Sequence, residues 1–467
     1  MKKRPLLTCL GLFAVCASAV APAAHASAPV PGDYIVVLNR AVDPGAVAAD
    51  HGRRFGFRTD FVYRNALRGY AAHIPPGQVS AVRSDPRVAS LAPVFPLDPI
   101  EGAGSANATK THQILPTNIN RIDADVSSTR SGDGTGVVAG PAVATMDTGI
   151  DASQPDLNVR GGVNCSPDGR PSTTYADDGG HGTHTAGTIG ARDDAGGVVG
   201  VAPGVPLYAV RVVQTGAGTA NTTANALCGI DWLKAHAAEY GIKVVNASLG
   251  YTQQFGWSGA DTGSCGKDTS GTVVDALHAG ICDLVASGVT VVASMGNSTI
   301  DARGTAPAAF DEVLSVSAMA DFDGRPGRLA RPTCSTTYGA DDTVATFSNF
   351  TTIGNVAPDA DWTHTISAPG VCVTSDALRG GTAVMSGTSM SGPAVSGTVA
   401  LCLTSGACGE LTPAGIIAKL RTDAFSHRSG APGYGFTGDP AAPAADGTPS
   451  DATGSRYYGP LVYPGSY

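Results

Sequence analysis

The chain has 467 residues, 42% of them apolar, with 61 Gly and 31 Pro. That is enough apolar material for a large core, in a loop-rich globular chain rather than a disordered one. The formal charge of −9 becomes −12 without Lys2, Lys3 and Arg4 of the acid-free residues 1–28, which argues against a general nucleic-acid binder.

The N-terminus has a basic Met1–Arg4, a largely apolar Leu6–Val20 and small-residue cleavage sites at Ala24-His25-Ala26 and Ala26-Ser27-Ala28. Residues 1–28 are read as a secretory signal peptide, and the product as secreted and extracellular. A short membrane anchor is the competing reading, but the apolar run is interrupted and short for one. No later segment is long and apolar enough to span a bilayer, so no membrane partner is expected. Cys9 and Cys16 leave with the signal. The remaining eight cysteines are Cys165, Cys228, Cys265, Cys282, Cys334, Cys372, Cys402 and Cys408. An even number in an exported chain suggests disulfides. Connectivity is not readable, although Cys402/Cys408 and Cys265/Cys282 are close in sequence. No C-x-x-C is present, which speaks against zinc.

Residues 29–105 read as a small α+β unit. Strand runs are expected at Tyr34–Leu38, Phe61–Tyr63, Gly69–Ile74 and Val88–Leu91, and helices at Pro44–Arg54 and Pro76–Arg83, each with Pro near its start. The order β-α-β-β-α-β matches a ferredoxin-like plan. Residues 100–125 are linker-like at first.

From Gly136 strands and helices alternate. Strands are expected at Val143–Met146, Leu207–Val213, Ile242–Asn246, Val289–Ser294 and Val313–Ala318. Helices are expected at His181–Gly190, Ala220–Tyr240, Val273–Ala286 and from Thr412-Pro413. This predicts an α/β fold, a parallel sheet with helices on both faces. Gly250–Gly271 and Asp321–Thr363 read as surface insertions stapled by Cys265 and Cys334. After Ser429 the composition shifts to Ala, Pro and Gly, ending in RYYGPLVYPGSY, so residues 429–467 read as a flexible tail, docking of its closing aromatics being the alternative. Active sites in such sheets lie at the carboxyl ends of strands. Asp147, Ser248 and Asn297 fall at or just after strand ends.

The serine stretch is MSGTSMSGPAV, Met385–Val395. Ser389 precedes a helix continuing through Val399 and Leu403, with Pro393 expected in the first turn, where its missing N–H is not needed. Free N–H groups and the helix dipole there favour negative charge. This suits a nucleophile whose attack creates an oxyanion. A serine also needs a base and an orienting acid. Both types occur in specific settings, His181 in GGHGTHTAGT and Asp147 in VATMDTGID.

Together these stretches resemble the subtilisin-like serine protease family (subtilases), whose chain order Asp, His, Ser they share. The resemblance implies a serine endopeptidase acting on protein or peptide substrates, with Ser389 as nucleophile, His181 as base and then acid, and Asp147 orienting the imidazole. Asn297, in VVASMGNS, corresponds to the oxyanion donor. Ser248, Leu249 and Gly250 correspond to the substrate-binding edge, and Gly296 to the pocket floor. Asp156 and Asp194 resemble a structural calcium site, two solvated acids being the competing reading. No cofactor is expected for catalysis, and a monomer is expected. His184 lacks the spacing and Glu of a zinc peptidase and reads as a hydrogen-bonded structural residue. Thr185 stands where the family has an aliphatic residue.

ALRGYAAHIPPGQVSAVRSDPRVASLAP resembles the family's inhibitor-type propeptide, an ordinary N-terminal domain being the alternative. The implied layout is signal peptide 1–28, propeptide 29–105, subtilisin-like catalytic domain 106–428 and tail 429–467, made as a zymogen whose propeptide is its own inhibitor. Rival readings are a catalytically silent protease-like binding module, or an esterase or peptide ligase using the same triad.

Overall fold

The computed structural model describes residues 29–99, 105–107, 112–167, 171–252, 265–352, 361–439 and 456–467. The expected signal peptide lies outside them.

The N-terminal unit comprises β1 (Asp33–Leu38), α1 (Pro44–Phe55), β2 (Thr59–Tyr63), β3 (Gly69–His73), α2 (Val79–Arg83) and β4 (Val88–Pro93). Its strands form an antiparallel sheet in the order β2-β3-β1-β4. Local chemistry sets α1: Asp43 caps its start by accepting from Ala46 N–H at 2.7 Å, Pro44 opens its first turn, and Gly56 ends it at φ 75°. Two short strands follow, β5 (Asp98–Pro99) and β6 (Ser105–Asn107), then a short helix α3 (Thr117–Arg121).

The large unit begins with β7 (Ala142–Asp147), β8 (Val159–Asn164), α4 (His181–Gly190), β9 (Leu207–Arg211), α5 (Thr223–Tyr240), β10 (Ile242–Ala247) and β11 (Leu249–Thr252). It continues through α6 (Ala276–Ala286), β12 (Thr290–Ser294), β13 (Thr305–Ala306), β14 (Leu314–Ala320), β15 (Thr343–Val344), β16 (Thr351–Thr352) and β17 (Thr365–Pro369). Then come β18 (Val373–Asp376), β19 (Thr382–Met385), α7 (Thr388–Thr404), α8 (Pro413–Gly430) and β20 (Arg456–Tyr457).

Strands β8-β9-β7-β10-β12-β14-β17 run parallel, and β15 adds antiparallel to β14. The expected α/β architecture is therefore present. The central strands are buried on both faces, which is why they read as continuous apolar runs rather than alternating ones. On one face α5 and α6 contribute Leu227, Ile230, Leu233, Leu277 and Ile281 to a core that also takes Ile35, Tyr63 and Leu97 from the N-terminal segment. On the other, α4, α7 and α8 supply Ile189, Val395, Val399, Ile416 and Leu420. Among the described residues no helix is long and apolar enough to cross a membrane.

The N-terminal unit docks on α5 through one acid. Asp231 Oδ1 accepts from the backbone N–H of Arg64, Asn65 and Ala66 at 3.0, 2.6 and 2.9 Å. Tyr63 adds its hydroxyl to the Ala224 carbonyl at 3.0 Å.

Two expectations change. Helix α7 starts at Thr388, so Pro393 lies beyond its first turn. A proline there cannot bond the carbonyl four residues back. That carbonyl belongs to Ser389, and the Ser248 hydroxyl donates to it instead at 3.0 Å. The flexible tail is corrected where it is described. Helix α8 runs through Ser429 to Gly430, and residues 456–467 pack on the large unit with Tyr457, Tyr458, Leu461, Val462 and Tyr467 buried. Strand β20 pairs with β16, Val462 N–H donates to the Ser367 carbonyl at 2.9 Å, and Ser367 N–H to that of Pro460 at 2.9 Å. The closing aromatics of RYYGPLVYPGSY dock, as the alternative reading allows, and where they dock depends on distant partners that no local pattern records.

All eight described cysteines pair, as Cys165–Cys228, Cys265–Cys282, Cys334–Cys372 and Cys402–Cys408. The two pairs near in sequence are joined, and Cys334 ties the 321–352 insertion to the strand region before Ser389.

Candidate active site

Asp147 ends β7 and is 1% exposed; His181 opens α4. His181 Nδ1 and Asp147 Oδ1 are 2.7 Å apart. The carboxylate thereby fixes the ring's orientation, and Oδ1 also accepts from Thr148 N–H at 2.7 Å. Gly182 allows the approach, because a Cβ there would lie 2.0 Å from the Gly149 carbonyl and 3.1 Å from Asp147 Cβ.

The loop before His181 is organised by Asp177, which the sequence reading missed. Its Oδ1 accepts from Thr148 Oγ1 and the N–H of Gly179 and Gly180, and its Oδ2 from the N–H and hydroxyl of Thr183. His184, one turn on, has Nε2 3.1 Å from the Val373 carbonyl. Burial, helped by the nearby His181, pushes its pKa down to about 3. This suits a neutral structural histidine. Thr185 is buried, its hydroxyl donating to the Gly182 carbonyl at 2.9 Å.

Ser389 is the second residue of α7, and its hydroxyl donates to the Ser248 carbonyl at 3.4 Å. The preceding Thr388 positions Asn297: its N–H and hydroxyl both donate to Asn297 Oδ1, at 2.9 and 3.0 Å. With the amide oxygen committed to Thr388, the NH2 end of Asn297 points away from that contact. The same Thr388 hydroxyl accepts from Gly296 N–H at 3.0 Å. Asn349, also missed, holds the loop from beneath. Its Oδ1 accepts from Ser298 and Ile300 N–H, and its Nδ2 donates to the Met295 carbonyl and Thr305 Oγ1. Gly296 sits at φ 107°, and a Cβ on it would meet Asn349 Nδ2 at 2.5 Å.

The edge beginning at Ser248 continues as β11. It carries β5 of the same chain as an antiparallel strand, Leu249 opposite Pro99 and Gly250 opposite Asp98. The edge expected from the sequence to bind substrate is thus paired with an extended segment of the same chain.

The subtilase family profile matches residues 139–454. Alkaline elastase YaB of Bacillus sp. (strain YaB) is 33% identical over 71% of this chain and 68% of its own length. The chain belongs to the subtilase family. Subtilisin NAT of Bacillus subtilis subsp. natto is 33% identical over 62% of this chain, which spans only 61% of that relative. A solved cold adapted subtilisin-like serine proteinase aligns at 24% identity and TM-score 0.49, over 75% of this chain and 98% of its own. Subtilases are serine endopeptidases, hydrolases that act on protein or peptide substrates and need no catalytic cofactor.

In this subtilase two acidic groupings stand apart from the catalytic stretches. Asp156 is buried beside Asp376, a carboxylate the sequence reading missed; Asp194 is exposed on the neighbouring loop. Burial first, and Asp194 among the nearby charges, push Asp156 up to about 6, and burial with the Asp156 charge pushes Asp376 well up. Val198 N–H donates to Asp156 Oδ2 at 3.0 Å, while Asp376 Oδ2 is buried without a hydrogen-bond partner. An orphaned carboxylate oxygen among three acids fits a hard cation. The second grouping, Asp321, Asp323 and Asp341, offers ligand atoms within 4.8 Å of one another. There burial pushes Asp321 up to about 8, and Arg121 already supplies a cation, its Nε 2.7 Å from Asp342 Oδ1 and 3.7 Å from Asp321 Oδ1.

Proposed function

We propose that this subtilase is a secreted serine endopeptidase, made as a signal–propeptide–catalytic precursor and working through an acyl-enzyme on Ser389. The observation that carries the reading is the 2.7 Å contact between His181 Nδ1 and Asp147 Oδ1, combined with Ser389 at a helix N-terminus and Asn297 locked to its neighbour Thr388.

In this reading His181 Nε2 takes the proton from Ser389 as Oγ attacks the peptide carbonyl. Asp147 orients the ring and stabilises the imidazolium without taking the proton. The oxyanion rests on the Asn297 amide and the Ser389 N–H, donors held in place before the charge develops. His181 returns the proton to the leaving amine, and water then repeats the sequence on the ester. Ser248, Leu249 and Gly250 hold the substrate backbone as an added strand, and Gly296 floors the pocket. Residues 1–28 act as the signal, and the N-terminal α+β unit acts as propeptide and intramolecular inhibitor. Asp156, Asp194 and Asp376 would hold a structural calcium ion, with no part in the chemistry.

Fluorophosphonate labelling of the secreted protein with peptide mapping tests this. A single adduct on Ser389, absent from Ser389→Ala, is the expected result. No adduct on a folded, processed chain would overturn it and leave a silent protease-like module. For the ion, EGTA is expected to lower Tm and added calcium to restore it; an unchanged Tm would remove calcium from the account.

A further inference from the structure

His181 opens α4, yet the residue at the helix start cannot cap it. That residue is Gly180, at φ 87°, which has no side chain to take the first free N–H groups. A carboxylate from just upstream takes them instead. Asp177 Oδ2 accepts from the Thr183 N–H at 2.8 Å and from the Thr183 hydroxyl at 2.6 Å. Its Oδ1 accepts from the N–H of Gly179 and Gly180 at 3.0 and 2.9 Å. The helix dipole favours a negative group in this place as well. The backbone on both sides of His181 is thereby fixed from one point.

The same carboxylate reaches the acid of the proposed triad. Its Oδ1 also accepts from Thr148 Oγ1 at 2.8 Å. Thr148 follows Asp147 at the end of β7, and its N–H donates to Asp147 Oδ1 at 2.7 Å. That is the oxygen standing 2.7 Å from His181 Nδ1. The Thr148 hydroxyl accepts in turn from the N–H of Gly182, the residue after His181, at 2.9 Å. Thr148 and Thr183 are buried, which keeps water from competing for these contacts. The neighbouring Asp178 serves other groups, the Arg211 guanidinium at 2.7 Å and the Thr215 hydroxyl at 2.9 Å. From this closed ring we infer that Asp177 is a positioning residue for the proposed reaction. Acting through Thr148, it holds Asp147 and His181 in register as one rigid pair. The inference rests on the serine-endopeptidase reading and adds to it a residue outside the triad and the oxyanion donors.

The effect is one of geometry. A serine is activated only when imidazole and carboxylate meet it in alignment, and a displacement of about 1 Å caused from a distance can cost about 10²-fold in rate. Removing the Asp177 carboxylate leaves five donors without their acceptor and frees residues 179–183 relative to β7. The proposed oxyanion donors and substrate edge lie elsewhere, on α7 and beside β12 and β11. Substrate affinity therefore survives the change, and the loss falls on kcat.

The test is steady-state kinetics of the secreted protein on a peptide amide, with the melting temperature of every variant read alongside. Asp177→Ala is expected to lower kcat about 10²-fold while KM stays within about threefold. Thr148→Val keeps the volume and removes only the linking hydroxyl, so it decides the matter if Asp177→Ala does not fold. It is expected to lower kcat at least about tenfold, and Thr148→Ser, which keeps the hydroxyl, to recover most of that loss. Asp178→Ala is expected to stay within about threefold of wild type, since that carboxylate serves Arg211 and Thr215. A double-mutant cycle separates positioning from mere support of the fold. With Asp147 already replaced by Ala, the Asp177→Ala effect is expected to shrink to about threefold or less, because residues acting as a unit are not additive. An equal loss in both backgrounds, a loss confined to KM, or an unchanged kcat in folded Asp177→Ala and Thr148→Val would each overturn the inference and leave the endopeptidase reading intact. A folded wild type that cleaves no peptide and takes no fluorophosphonate would sink both.

Discussion

Asn297 shows how little freedom the site leaves a single side chain. Two donors from Thr388 fix its amide oxygen, Asn349 grips the loop around it from below, and Gly296 admits that grip only because it has no Cβ. Asn297→Ala is expected to lower kcat about 10²–10³-fold with KM little changed, the scale seen for such a donor in subtilisin itself; steady-state kinetics on a peptide substrate check it. A loss confined to KM would assign the residue to substrate binding. His364 carries a different prediction. Its Nδ1 meets the Val313 carbonyl at 2.7 Å, its Nε2 is buried without a partner, and burial pushes its pKa from 6.5 down to about 4. The folded state binds the proton less readily than the unfolded one. Its contribution is therefore complete above pH 6.5 and is lost as pH falls towards 4, a difference of about 3 kcal/mol. His364→Gln should flatten the Tm-against-pH curve across that window relative to wild type.

At the scale of elements, what the sequence disclosed follows from how each element is buried. Strands β7, β10, β12 and β14 lie in the middle of the sheet, so their apolar runs are continuous and readable. Strand β8 is an edge strand carrying Gly161 and Gly162, and a Cβ on Gly162 would lie 2.1 Å from the Ala209 carbonyl, so the residue that makes the pairing feasible also hides the strand. Strands β17, β18 and β19 are short and were not expected. The candidate triad was legible because each member sits in a distinctive local run. Asn349 and Asp376 were not, because they act only through contacts to residues some 50 and 220 positions away, which no local pattern records. Helix α5 carries the docking carboxylate for the N-terminal unit, three backbone donors converging on Asp231 Oδ1. Asp231→Ala leaves those donors without their acceptor and is expected to weaken the unit's hold on the large unit by about 1–3 kcal/mol. Affinity of separately produced residues 29–105 for the Asp231→Ala and unaltered large units measures it; equal affinity would mean water replaces the carboxylate without loss.

The whole molecule is closed by its last residues. Tyr457, Tyr458, Leu461, Val462 and Tyr467 are buried, the Tyr458 carbonyl accepts from Ser317, and the Tyr467 hydroxyl donates to Asp423 at 2.7 Å. Full burial of side chains of this size is worth about 1.5–3 kcal/mol each before the entropy of ordering the segment is subtracted. Deleting residues 456–467 is expected to lower Tm by several degrees, on the scale of about 2–4 °C per kcal/mol for domains of 150–250 residues. An unaltered melt would mean the docking is energetically neutral.

The four disulfides among the described residues fall between Cys165 and Cys408, and residues 29–164 contain no cysteine. Were the N-terminal α+β unit cut off as the proposed propeptide, every disulfide among the described residues would lie on the catalytic side of the cut. The severed piece would be tethered by contact alone, so its departure is governed by dilution and by proteolysis of whatever dissociates, and reducing agent does not trigger it. Activation would then show a lag that lengthens with enzyme concentration while release limits it, and shortens once free protease begins to digest the fragments of its neighbours.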